Sequence, residues 1–179
     1  MEIEDSILKY FIDNEIKEVR YSTLRVEMVR LYDIEGFFKA LTNLYKKNIL
    51  YPSHTIVYIN SIEAFVKRVL KLRYKLSATI LCLFIFAYKK DIIKGEDVIV
   101  GVDEVIKAYS YTGLCLELLH ADRRTRWNSI HELKERGLLE PMRYKMYKFN
   151  YKNLSIGLVK VIILSTSTYS KEELQRISF

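Results

Sequence analysis

Arg124, Asn128, His131 and Glu135 follow one another at spacings of four, three and four residues, so a helix sets them on one face. Arg and Asn there are chemically suited to guanine and adenine edges in the major groove of a duplex. Trp127, Ile130 and Leu133 project to the opposite face and are expected to be core, with Arg123 toward its edge. Arg126 falls inward on the same wheel, which is tolerable only in a first turn. Further on, Arg143, Lys145, Lys148 and Lys152 interleave with Tyr144, Tyr147 and Tyr151, a mixture of cations and phenols suited to phosphate and minor-groove contact. Earlier in the chain Lys39, Asn43, Lys46 and Lys47 share a helix face, which fits nucleic-acid contact and an ordinary solvated surface equally well.

Other chemistries lack their residues. His54, His120 and His131 are far apart and stand without Cys or carboxylates at ligand spacing, and no HExxH, CxxC, GxxxxGK or GxGxxG occurs, so no metal, cofactor or nucleotide site is expected. Ser53-His54 is not a nucleophile elbow. Asp122 beside His120 is expected to cap a helix, and the pairs Glu96-Asp97 and Asp103-Glu104 stand where a helix macrodipole favours acids. No catalytic residue is identified, and the chain is not expected to be an enzyme.

The elements that would hold the candidate residues come in an order that repeats. Asp5–Asp13 has a helical apolar stripe, Glu15–Tyr21 alternates as a short strand does, Ser22 is placed to cap a helix over Thr23–Tyr32, and Asp33 to cap another over Ile34–Asn48. A turn at Pro52–His54 then leads to a strand over Thr55–Asn60. Helix, strand, helix, helix, hairpin is the order of a winged helix. From Ile62 to Asp91 a long helical stretch is expected, with KRVLKLRYK at Lys67–Lys75 and a buried apolar run at Leu76–Tyr88. A short strand over Val98–Val100, a helix over Val102–Leu119, a helix over Asp122–Arg136 closed by Gly137, and strands over Met142–Asn150 and Leu158–Leu164 repeat the order. Ser170 and Glu173 make a capping box for a last helix. Each third helix leaves through the same signature, Leu44…Asn48-Ile49-Leu50 and Leu133…Gly137-Leu138-Leu139.

Composition and charge bound the partners. The 179 residues carry a net charge of +7, and half are apolar, which excludes disorder. Two cysteines cannot form a disulfide framework, and Cys82 and Cys115 lie in apolar contexts where Cys is a small hydrophobe. The thirteen-residue apolar run is shorter than the roughly 20 residues of a spanning helix, and the acidic start is no presequence, so a cytoplasmic, nucleoid-associated protein without membrane contact is expected. Residues 1–61 are net −1 and residues 62–179 net +8, and Asp122–Lys160 alone is +6. A polyanion footprint belongs where a reading element lies. The bland alternative is a cation-rich solvated surface.

Leu119–Glu140 (LHADRRTRWNSIHELKERGLLE), preceded by Glu104–Cys115 (EVIKAYSYTGLC), resembles the C-terminal winged helix of archaeal and eukaryotic origin-binding initiators of the Cdc type. Glu132-Leu133 and Gly137-Leu138-Leu139 match that family's closing motif, Asp122 takes its cap position, and Arg123-Arg124 lie near its Arg pair. Trp127 and Arg126 depart from the pattern. The resemblance spans roughly Leu76–Leu164. With no ATPase module ahead of it, the pair of units is similar to archaeal winged-helix initiator proteins related to the licensing factor Cdt, which implies a role in replication initiation.

The expectation is thus an α+β, mostly helical chain with two tandem winged-helix domains, 1–61 and 62–179, the second including a basic connecting helix at about 62–75. It would bind double-stranded DNA, with recognition helix 122–136 in the major groove and wing 142–164 on the backbone. Domain 1 would be free to meet other replication or transcription proteins. A transcriptional regulator of the same fold, and a tandem winged-helix adaptor in chromosome partition or membrane remodelling, remain the alternatives.

Overall fold

The computed structural model describes residues 1–110 and 112–177, and of 115–117 the backbone alone, so the expected apolar setting of Cys115 lies outside the described residues. The chain is α+β and mostly helical, with two small antiparallel sheets. The first part runs α1 (Ile3–Asp13), β1 (Glu18–Arg20), α2 (Tyr21–Val29), α3 (Ile34–Lys46), β2 (Leu50–Ser53) and β3 (Ile56–Ile59), and the connecting helix α4 (Ile62–Leu70) follows. The second runs α5 (Lys75–Ala87), α6 (Lys89–Lys94), β4 (Ile99–Gly101), α7 (Val102–Ala108), a 3-10 turn (Gly113–Cys115), α8 (Leu116–His120), α9 (Arg123–Glu135), β5 (Leu139–Pro141), β6 (Met146–Phe149), a 3-10 turn (Tyr151–Asn153), α10 (Ile156–Thr166) and α11 (Lys171–Gln175). In each sheet the last strand lies in the middle, in the orders β1-β3-β2 and β4-β6-β5.

The repetition reaches individual hydrogen bonds. Asp33 and Asp122 each cap their helix by accepting the amide three residues on, at 2.7 Å in both cases. Asn48 and Gly137 both end their helices at positive φ, 56° and 71°. Ile49 N donates to Leu44 O at 3.0 Å, and Leu138 N to Leu133 O at 2.9 Å. Asn60 N and Asn150 N close the two hairpins on Ile49 O and Leu138 O, both at 2.9 Å. The expected third helices, their Asp caps, the Gly137 stop and the Ser170–Glu173 capping box are all present.

Several expected elements differ. Ser22 is not the N-cap, because the strand passes directly into a helix that already begins at Tyr21 with Arg20 at its N-cap, and Tyr21 N donates to Thr55 O at 2.7 Å. The stretch 62–91 is broken: Lys71 turns left-handed at φ 52°, and a short linker separates α4 from α5. The expected helix over Val102–Leu119 is α7, a 3-10 turn and α8. Leu158–Leu164 is not the wing's second strand but lies in helix α10, every residue of it buried. A run buried on all sides has no polar period to tell helix from strand, and the Ser155 hydroxyl, accepting from Leu158 N at 3.2 Å, starts the helix. The expected strand over Met142–Asn150 is instead a turn followed by β6, because Tyr144 and Lys145 take left-handed φ, so the wing is the β5–β6 hairpin and not 142–164.

Helix α5 is the centre of the core. Leu76–Ile85 is buried throughout, as its unbroken apolar run implies, and α4, α9 and α10 pack around it. Among the described residues, no helix is long and apolar enough to cross a membrane. Burial, with a smaller push from Glu63, drives the Cys82 thiol well above its ordinary range and leaves it an inert packing group. Helix α10 reaches across to α1. The Lys160 ammonium, 7% exposed, donates to both Glu15 oxygens at 3.1 and 3.0 Å. Gly157 sits against the end of α1, where an added Cβ would fall well inside contact distance of the Ile12 carbonyl oxygen. Gly157→Ala is expected to destabilise the fold by about 1–3 kcal/mol through forced separation of the two helices. Chemical denaturation checks this, and an unchanged midpoint would show that the crossing yields freely.

Candidate nucleic-acid interface

Helix α9 is positioned by polar side chains on its inner face. Glu132, buried, accepts Arg73 N at 2.5 Å, Tyr74 N at 3.2 Å and the Ser77 hydroxyl at 2.6 Å. The N-cap of α5, Tyr74, has no side-chain cap of its own, so Glu132 serves as the cap of a neighbouring helix and meets its positive end. Burial works to raise the Glu132 carboxyl, and the Ser77 hydroxyl, the two amides and the Arg136 charge outweigh it, holding it below the usual carboxylate range. Arg136 donates to Leu70 O and Lys71 O, both at 2.7 Å, and so grips the same linker. Ser77 and Ser129, both fully buried, let α5 and α9 approach closely. Arg126 points inward from the first turn and donates to Leu118 O at 2.9 Å.

This inner face corrects the expected register. On a wheel of about 100° per residue, Trp127 lies about 120° from Leu133 and leaves the core. It is 63% exposed and stacks on His131, with ring centres 5.1 Å apart and planes 5° from parallel. His131 Nε2 in turn lies 3.2 Å from Glu135 Oε1. The outer face is therefore Arg124, Trp127, Asn128, His131 and Glu135, with Arg123 exposed at the helix start. Of the residues expected outward, Arg123, Arg124 and His131 are exposed and Asn128 is half-buried, and Trp127 joins them from the expected core.

The β5–β6 hairpin stands beside this helix with its tip in solvent. Tyr144 and Lys145 turn it with φ of 61° and 60°, and Tyr144 is 92% exposed. Arg143 and Lys145 are exposed at the tip. Lys148 lies back in the sheet, opposite Glu140 and 3.9 Å from Asp97, so part of its charge is already answered. Lys152 is exposed but lies in the 3-10 turn after the hairpin, and Tyr151 is buried with its hydroxyl donating to Glu96 O at 2.7 Å. These two are not wing residues.

The corresponding surface of the first part is different. Lys39 and Lys46 are exposed on α3, but Asn43 and Lys47 bond Glu4 of α1, at 3.3 and 3.0 Å. Burial works to raise Glu4, and Lys47, Asn43 and Arg68 overcome it and hold the carboxyl below its ordinary range. The four residues expected to share one outward face are thus divided. The tip of the β2–β3 hairpin, His54 and Thr55, carries no Lys or Arg. Around α2 and α3 the exposed residues include Val26, Val29, Leu31, Ile34 and Phe38.

Among the described residues no group of His, Cys, Asp and Glu converges in a manner that could hold a metal ion. Comparison with protein-family models, curated proteins and solved structures finds no match.

Proposed function

We propose that the chain is a tandem winged-helix protein that binds duplex DNA, with α9 as the reading helix and the β5–β6 hairpin as its wing. One observation carries this reading. Within Asp122–Lys160 the cations Arg126, Arg136 and Lys160 are bonded to protein, while Arg123, Arg124, Arg143 and Lys145 stand in solvent on the helix start, its outer face and the hairpin tip. The repeated order of elements, with a sheet whose last strand lies central, supports the winged-helix assignment of both parts. Binding at a replication origin is the role that the resemblance of Leu119–Glu140 implies, and regulation of transcription uses the same docking. For the first part, the exposed Val26, Val29, Leu31 and Phe38 favour a protein partner over DNA.

The single tryptophan, Trp127, is an intrinsic probe because it lies on the proposed contact face. Titration with duplex DNA is expected to change its emission, and the affinity to fall with a log–log salt slope of roughly −4 to −5 as about four to six phosphates are met. A silent tryptophan together with flat salt dependence would sink the reading.

A further inference from the structure

A groove of about 680 Å³ lies where the end of α3 meets α4 and the α4–α5 linker. Its floor is Ile49, Ala64 and Leu72, and its walls carry Lys47, Lys67, Arg68, Lys71 and Lys75, with no Asp or Glu among the lining residues. Lys47 and Arg68 are engaged by acidic side chains of α1. Lys67 and Lys71 have no such partner among the described residues, and Lys71 keeps a long exposed side chain at a left-handed position that favours glycine. A second, shallower groove of about 640 Å³ runs from Thr125 in the first turn of α9, past His120, to Arg73 and Lys75. Lys75 lines both. The linker between them is fixed to α9 by the Glu132 and Arg136 bonds, so its cations hold a set place relative to the reading helix.

Resting on the DNA reading above, we propose that these two grooves form one phosphate track: a nucleic-acid backbone leaving the N-terminus of α9 crosses the linker over Arg73 and enters the groove of Lys67 and Lys71. DNA is then met by the connecting helix α4 and the linker, not by α3, whose Asn43 and Lys47 are held by Glu4. An unbranched polyanion suits two adjoining grooves that share Lys75 and carry Lys67, Lys71 and Arg73 along their walls.

The test uses the full chain and hairpin-closed duplexes of about one and about two helical turns, roughly 10 and 21 base pairs. The variant Lys67→Gln/Lys71→Gln/Arg73→Gln keeps the side-chain stems and removes the charges. On the longer duplex it is expected to bind roughly tenfold more weakly and to lower the salt slope by about two to three. On the shorter duplex it should match the wild type, and thermal melts should be unchanged. If wild type binds DNA and the variant matches it on both lengths, or loses equally on both, the track is wrong while the reading helix stands. If poly-glutamate binds the wild type as tightly as the longer duplex and the variant releases it, the groove takes an acidic polypeptide and the track is overturned. If wild type binds neither duplex, the DNA reading fails and the track with it.

Discussion

Glu132→Ala is expected to cost the fold on the order of 3–5 kcal/mol, because it strands two backbone amides and a buried hydroxyl that one carboxylate satisfies. For a chain of this size that corresponds to roughly 6–20 °C in Tm. Glu132→Gln keeps the shape and some of the acceptance and should lose less. The pH dependence separates charge from shape. The folded carboxyl is held below its unfolded value, so its contribution is present above the unfolded pKa of about 4.3 and is lost as pH falls through the lower folded pKa. Wild type should therefore surrender part of its stability below about pH 4.3, and Glu132→Gln should lack that part of the acid limb. Denaturant unfolding at several pH values measures both. A loss under about 1 kcal/mol for Glu132→Ala would mean that water replaces the carboxylate at the start of α5.

The same residue shows what a sequence of this kind leaves hidden. Glu132 belongs to the closing motif and looks like an ordinary polar helix residue, yet its partners, Arg73, Tyr74 and Ser77, lie more than fifty positions earlier. The one local hint is that α5 starts at Tyr74 without a capping side chain of its own. Trp127 was hidden for a related reason. Apolar weight was expected to mark the core side of α9, but that side is polar, with Arg126, Ser129, Glu132 and Arg136 bonded to distant partners. The large indole was free to face solvent.

Local signals were legible where they are self-contained. An Asp cap, a left-handed stop at Asn48 or Gly137 and the following hydrogen bond to the leucine five residues back need no tertiary contact, and they delimit both third helices. Helix α10 carries no such period because every residue of Leu158–Leu164 is buried, Lys160 included. Its helical nature follows from packing against α1 and α5, and only the Ser155 cap announced it. The division of Lys39, Asn43, Lys46 and Lys47 is likewise a tertiary result, set by Glu4 on a helix forty residues away.

Arg124→Ala and Asn128→Ala should each weaken cognate DNA binding by about 1–3 kcal/mol, and together by roughly a hundredfold or more, while affinity for random duplex falls far less. Both residues lie on the face of α9 away from Leu133, Arg124 exposed beside the capping carboxylate of Asp122 and Asn128 half-buried, where a groove can bring base edges to them. Trp127 and His131 stack on each other on the same face of the helix. Lys145→Ala, at the hairpin tip, removes a charge suited to phosphate. It should weaken cognate and random duplex alike and lower the salt slope by about one. Lys145 is a cleaner comparison than Lys148, whose neighbour Asp97 already screens it. None of the three changes touches the core, so melts should stay within about 0.5 kcal/mol of wild type. The measurement is selection of a preferred site from random duplex, followed by competition of cognate against scrambled DNA for each variant. Equal losses on both DNAs for Arg124→Ala, Asn128→Ala and Lys145→Ala would mean that α9 only meets phosphate and that sequence is read elsewhere. A preserved ratio in Arg124→Ala with an eroded one in Asn128→Ala would instead place the helix in the groove by its second turn, with Arg124 on the backbone beside Arg123.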